Sequence, residues 1–270
     1  QVTELFATEH RSRVVSPDDF DAIDQLAAMF DEPFADASAL PTWRVSQLAR
    51  ESVTVALSGD GADEAFAGYR RHVFQRNEDR LRSILPEGLR RPVFSALGAI
   101  YPKADWAPRM FRAKSTFLSL AASSEEGYAR ALSVTPPELR QRLYTPEFQR
   151  LRGDYRSEAD LEALMRAAPG RSGLDRAQYA DIKFWLPGDI LTKVDRTSMA
   201  VSLEAREPLL DHRLIEFAAG LPEGLRTRKG QGKWLMKRTM RRYLPDEILY
   251  RSKQGFVTPI AQWFRGPLAE

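Results

Sequence analysis

Three carboxylates and two glycines fall within the seven residues Ser58-Gly59-Asp60-Gly61-Ala62-Asp63-Glu64. The glycines permit a tight turn and close approach of the backbone to a ligand, and from Ala62 onward the composition is that of a helix opening. Such a turn aims unpaired N–H groups and the positive end of a helix dipole at one point, where a nucleotide phosphate binds. Asp60, Asp63 and Glu64 would repel a bare polyphosphate, so the combination makes sense with a hard divalent cation, Mg2+, between carboxylate and phosphate. Ser, Asp and Gly are also ordinary capping residues at a strand-to-helix turn, and both readings stay open. No lysine follows in a GxxxxGK[ST] arrangement, which excludes the Walker type of phosphate loop.

The turn needs a strand before it. Val53–Leu57 is an almost wholly apolar run, the pattern of a strand buried on both faces of a parallel sheet. Upstream, His10–Val15 reads as a short strand. Ser16 then caps a helix with Pro17 at its first position, and Phe20, Ile23, Ala27 and Phe30 recur at helical spacing. Asp31–Leu40 is a loop closed by Pro41, and a helix over Thr42–Arg50 leads into the apolar run. Strands alternating with helices predict an α/β fold with a doubly wound parallel sheet and ligands at the carboxyl ends of its strands. Asp36 and Ser38 lie in the loop on that side of the sheet, as substrate contacts or as plain loop and cap residues.

Beyond Tyr69 the pattern is helical to about Gly173, cut by prolines into short segments such as Pro137–Leu143 and Asp160–Ala168. This predicts a sheet-containing part, 1–72, and a large, mostly helical part, 73–270. Trp106, Phe111 and Phe117 read as core. Arg70, Arg71, Arg76, Arg80, Arg82, Arg90 and Arg91 are interleaved with acidic residues and have no stacking aromatics beside them, so they read as a solvated helical face and not a nucleic-acid site. Asp189 is a candidate cap for a helix through Ile190, Val194, Met199 and Leu203, with Asp195, Arg196, Glu204, Arg206 and Asp211 on helix faces or ends, where such charges can pair.

Composition narrows the chemistry. The 270 residues suit one large domain or two small ones. There is no apolar run of bilayer length and no signal-peptide core, so a cytoplasmic protein is expected. With no cysteine, disulfides, thiolate metal sites and thiol nucleophiles are excluded together. The 40 basic and 37 acidic residues nearly cancel. His10, His72 and His212 have no neighbours that suggest a triad or a metal site. The opening, QVTELF, lacks a start methionine and reads as mid-helix, which predicts a piece of a longer chain.

The segment LSGDGADEAFAGY resembles the SGxGxDExFGGY segment of the asparagine synthetase family, whose synthetase domain is related to the ATP pyrophosphatases. DEPFADASALPTW at Asp31–Trp43 is similar to the segment preceding that strand in bacterial members. LPGDILTKVDRTSMAVSLEAREPLLDHRL at Leu186–Leu214 resembles the long DR.SM…EAR.P.LDH signature. The stretch from Gly232-Lys233-Trp234-Leu235 to Leu244-Pro245, followed by Arg251-Ser252-Lys253-Gln254-Gly255-Phe256, resembles the closing lysine-bearing segments. YPKADWAPR at Tyr101–Arg109 resembles a subgroup of amidotransferases encoded with exosortase and exopolysaccharide systems.

The resemblance implies the carboxy-terminal part of an ATP pyrophosphatase-like domain, of the adenine nucleotide alpha hydrolase-like type. It implies ATP and Mg2+ as cofactors. Ser58 and Gly59 would hold nucleotide, Asp63 would bind Mg2+, Asp60 would lie near the intermediate, and Lys233 and Lys253 would steady the pyrophosphate and the adenylation transition state. Fixed ammonium groups there stabilise charge that grows in the transition state; by composition alone these lysines read as solvated. The implied reaction adenylates a carboxylate, typically the aspartate side chain, and transfers ammonia from glutamine to it, releasing AMP and pyrophosphate. The implied partners are small molecules, with no nucleic acid and no membrane, and with a homodimer as a compatible assembly. An amidotransferase acting on another carboxylate, in exopolysaccharide or peptide biosynthesis, and a non-catalytic scaffold module are the alternatives. Two parts of the family pattern do not occur in the sequence: the cysteine-dependent glutaminase domain and the SGGxDS loop. The 270 residues alone are therefore expected to bind ATP weakly and turn over little. Ala67 stands where the family more often has glycine, read as a methyl group that tightens helix packing.

Overall fold

Val55–Leu57 forms a strand, β1, and its partner comes from far along the chain: Glu204–Arg206, β2, runs parallel to it with Val55 opposite Glu204 and Leu57 opposite Arg206. The ladder is extended by Glu204 N–H donating to Thr54 O at 2.9 Å and Ser58 N–H to Arg206 O at 2.8 Å. The parallel pairing agrees with the sequence; burial on both faces does not. Leu57 is 76% exposed and Val55 38%, and β1 has one neighbouring strand among the described residues. β2 also corrects the expectation of helix at Glu204 and Arg206. The helix Thr192–Met199 stops first, and Ser202 turns the chain at a φ of +58°.

The computed structural model describes residues 2–101, 113–170, 172–252, 255 and 258–266. They divide into two compact units that interleave along the chain: 1–62 with 185–217 and 235–270, and 63–184 with 218–234. Pairing of β1 with β2 draws the signature segment into the first unit. The first half of the glycine turn belongs to one unit and Asp63 opens the other.

In the first unit, Ser16 stands at the expected helix start before Pro17 and forms a capping box with Asp19; the 3-10 turn Pro17–Ala22 passes into the helix Ile23–Ala27. His10–Val15 carries no strand, since among the described residues it has no ladder partner. The helix Ala39–Arg50 buries Ala39, Leu40 and Trp43 against Leu26 and Trp263. Asp19, 8% exposed, is held by Arg44 at 2.8 Å and Arg13 at 3.1 Å.

The second unit is helical. Its core is Tyr128, Ala129, Leu161, Met165, Ala177 and Ala180, contributed by the helices Ser124–Leu132, Glu158–Ala167 and Gly173–Ala180. Ser123 with Glu126, and Ser172 with Asp175, form capping boxes that start two of them. The predicted Pro137–Leu143 helix is present with those bounds. The arginine face is corrected in part. Arg91 is exposed, but Arg90 turns inward to the carbonyls of Leu120 and Ala122, and Arg82 to Glu78, Asp79 and Ser119 O, so these guanidinium groups cap helix ends. Phe117 packs on Phe94 and Tyr101. Asp189 is not a cap: it lies inside a π-helix, Asp181–Leu191, whose wide turns accommodate Pro187. Trp106, Phe111, most of YPKADWAPR and Lys253 lie outside the described residues.

Candidate functional site

In the first unit the turn is built from Ser58 to Gly61. The Ser58 hydroxyl donates to the Asp60 carboxylate, and its N–H is taken by β2. Gly61 has a φ of +88°, and a Cβ there would strike the Leu210 side chain, so this glycine is required by conformation and by space. A Cβ on Gly59 would meet nothing, which leaves the surface over the start of the turn open to a ligand. Glu207 faces the same turn. Burial pushes its carboxyl up, and the charges of Asp60 and Asp195 push it further.

In the second unit the helix Ala62–Ala65 carries Asp63 and ends in a Schellman turn: Gly68 N–H donates to Asp63 O at 2.7 Å, with Ala67 left-handed at a φ of +54°. That conformation favours glycine over alanine, and it corrects the reading of Ala67 as a simple helix-packing position. The other carbonyls are also satisfied. Gln178 Nε2 donates to Glu64 O at 2.6 Å and Ala65 O at 3.0 Å, and Lys233 N–H donates to Phe66 O at 3.0 Å. A Cβ on Gly232 would fall on the Ala67 carbonyl, and one on Gly68 would fall on the Asp63 carboxylate and the Lys233 side chain. Two close backbone approaches thus bring Lys233 Nζ to 3.1 Å from Asp63 Oδ1.

The structure therefore joins Asp63 with Lys233, Ser58 with Asp60, and Asp36 with Ser38. Asp36 Oδ1 accepts from Ser38 N–H at 2.9 Å and its Oδ2 from the Ser38 hydroxyl at 2.7 Å; Lys193 Nζ completes the group at 2.5 Å from Asp36 and 2.8 Å from Ser38 Oγ. Burial alone would raise the Asp36 carboxyl, but Lys193 and Ser38 outweigh it and hold it below the usual range. One expectation fails. Glu64 is not a third carboxylate on the turn; it is 1% exposed and accepts from the Tyr69 hydroxyl at 2.6 Å. Burial raises its carboxyl against that hydrogen bond, and the Asp63 and Asp181 charges add to the rise.

Asp63 fits Mg2+ as a partly exposed hard oxygen donor. Among the described residues no three His, Cys, Asp or Glu side chains gather as a cage.

Three contributors escaped the sequence reading. Lys193 lies in the signature segment, one turn before Arg196, but nothing in its spacing marks it as buried. Gln178 had a signal: with Asp181 it interrupts the stripe Leu174, Ala177, Gln178, Asp181, and a polar pair on a buried helix face needs partners. His72, fully buried, lies 2.7 Å from the Asp181 carboxylate through Nε2, a pairing across 109 residues that no local pattern reveals.

The model of the asparagine synthase family matches residues 1–270. Asparagine synthetase (glutamine-hydrolyzing) 1 of Bacillus subtilis is 31% identical over 268 residues, covering 97% of this chain and 40% of its own length. Asparagine synthetase (glutamine-hydrolyzing) 3 of the same organism is 26% identical over 265 residues, covering 95% of this chain and 35% of its own. Amidase chyE of Penicillium rubens is 26% identical over 248 residues, 81% of this chain and 34% of its own. The chain thus spans about two fifths or less of the length of these relatives. No helix among the described residues is long and apolar enough to cross a membrane.

Proposed function

Because this chain belongs to the asparagine synthase family, we propose that it is part of an ATP-dependent ligase that adenylates the aspartate side chain and passes ammonia from glutamine to the acyl carbon. The observation that carries this reading is the Asp63–Lys233 pair, 3.1 Å apart at the helix that follows the glycine turn. An anion and a fixed cation side by side suit a Mg2+–triphosphate, whose charges alternate in the opposite sense. Bound at Asp63, Mg2+ would neutralise phosphate oxygens as charge shifts to the departing pyrophosphate. Lys233 would hold the same oxygens, and Lys253 is proposed to join it. Ser58 and Gly59 would present backbone to the nucleotide, and Asp60 would sit by the acceptor. Asp36 and Ser38 act at one remove in this reading, since Lys193 already engages them. Catalysis is positioning and charge stabilisation, with no covalent enzyme intermediate.

β1 and β2 are, in this proposal, two strands of a doubly wound ATP pyrophosphatase-like sheet, and the protein is cytoplasmic, with a homodimer as its assembly. The test is pyrophosphate release by the full-length protein with aspartate, glutamine and Mg2+–ATP. Asp63→Ala is expected to lower it by about 100-fold or more, and unchanged release would overturn the assignment. The resemblance of Tyr101–Arg109 to exopolysaccharide-associated amidotransferases favours one second reading, a different acceptor carboxylate with the same adenylating residues. A panel of carboxylates scored by pyrophosphate release separates the two.

A further inference from the structure

We infer that Gln178 is a positioning residue for the Asp63–Lys233 pair, acting through the backbone of the helix Ala62–Ala65. The inference rests on the role proposed for that pair and adds to it a residue that touches neither substrate nor metal. A four-residue helix cannot hold itself, and its last carbonyls need donors from elsewhere. Gln178, 4% exposed, gives both amide hydrogens to two of them, Glu64 O and Ala65 O. Its Oε1 accepts from Arg226 at 2.6 Å, which fixes the orientation of the amide: turned over, it would set its NH2 against the guanidinium and its oxygen against two carbonyls.

Arg226, also 4% exposed, in turn pairs with Asp175, which the capping box with Ser172 holds in place. Burial alone would raise the Asp175 carboxyl; the Arg226 contact outweighs it and holds it below the usual range. From Arg226 the chain runs through the Arg228–Gln231 bridge to Lys233. One guanidinium therefore braces the segment that delivers Lys233 and, through Gln178, the helix that delivers Asp63. A leucine or methionine would fill the same volume. Only a side chain with two donors and an acceptor makes all three bonds.

The experiment uses the full-length protein with Gln178→Met, and with Gln75→Met as its control, since Gln75 is a buried glutamine of the same unit whose amide donates to Ser124 O and Oγ. Amide exchange at Gly68 and Lys233, whose N–H groups close the end of the helix, is expected to quicken about ten-fold or more in Gln178→Met only. Calorimetric Mg2+–ATP affinity is expected to fall about five-fold or more in the same variant. Unchanged exchange and affinity in Gln178→Met, or equal changes in both variants, would overturn the inference. Should Gln178→Met not fold, Arg226→Lys reads the same two quantities, with a smaller change in the same direction expected and no change overturning it. An Asp63→Asn arm keeps the two ideas apart. If it leaves Mg2+–ATP affinity intact, the proposed role of the pair fails, while exchange at Gly68 and Lys233 still decides whether Gln178 holds the helix.

Discussion

Gly232 and Ala67 meet backbone to backbone, so closely that a Cβ on residue 232 would overlap the Ala67 carbonyl oxygen. The contact sets Lys233, itself left-handed at a φ of +54°, beside Asp63. Gly232→Ala must push one backbone off the other, and neither end is a flexible side chain. Overpacking of this kind costs about 1–3 kcal/mol. The expected result is a lower unfolding midpoint together with weaker Mg2+–ATP binding, read by thermal melts and calorimetry. A variant with both quantities at wild-type values would show that the contact does not position Lys233.

Ala67 invites the opposite change, and three terms decide its sign. Relief of the left-handed alanine gains about 1–2 kcal/mol. Extra freedom of the unfolded glycine chain takes back about 0.4–1 kcal/mol. Removing a fully buried methyl takes back about 0.8 kcal/mol more. The sum is close to zero. Ala67→Gly is therefore expected to melt within a few degrees of wild type. Ala67→Val adds β-branched crowding to the same φ and is expected to cost about 2 kcal/mol or more. Equal stability of the glycine and valine variants would contradict the left-handed assignment.

Asp36 and Lys193 predict a pH dependence. The Asp36 carboxyl is held below its ordinary value of 3.8. Its stabilising contribution is therefore complete above that value and is lost as pH falls through the lowered folded one. Asp36→Asn would leave the Lys193 ammonium buried beside a neutral amide, at a cost of about 3 kcal/mol near neutral pH. Urea unfolding of both proteins across pH should show a gap that is constant above about pH 5 and narrows only below about pH 4. A gap that stays constant down to about pH 2 would assign the difference to packing instead.

What could be read in advance followed from short-range rules. Ser16, Pro17 and the Pro137–Leu143 helix came out as capping and proline chemistry dictate, and the strand before the glycine turn was correctly placed as parallel. The partner of β1 was not. Glu204–Arg206 carries no strand signature of its own, and two charges in three residues read as helix surface until the ladder claims their backbone. Likewise Asp60, Asp63 and Glu64 form one cluster as letters and three separate arrangements in space, because the chain enters a helix between them and turns Glu64 inward. Lys193 and Gln178 were hidden for the same reason: their partners lie 157 and 114 residues away.

Asp181 supplies the last test. One oxygen of its carboxylate accepts from His72 Nε2 at 2.7 Å, from the Tyr128 hydroxyl at 2.7 Å and from Arg71 at 2.9 Å, tying the start of the helix Arg70–Ile84 to the second unit's core. Burial would raise this fully buried carboxyl, but the His72 contact and the charge of Arg71 hold it low. The three donors are not equal. Tyr128→Phe removes one neutral donor to the anion and also the acceptor of the Arg71 Nε–H at 2.9 Å, so a loss of about 2 kcal/mol is expected. Asp181→Asn keeps the shape but removes the charge that Arg71 faces, and its NH2 can at best replace one acceptor with a donor; about 3–5 kcal/mol is expected. In the double variant the tyrosine effect should shrink without vanishing, because the hydroxyl has lost its anionic acceptor and keeps only the bond it accepts from Arg71. Denaturant unfolding of the four proteins measures this coupling directly, and strict additivity of the two substitutions would show that Tyr128 and Asp181 stabilise the core independently.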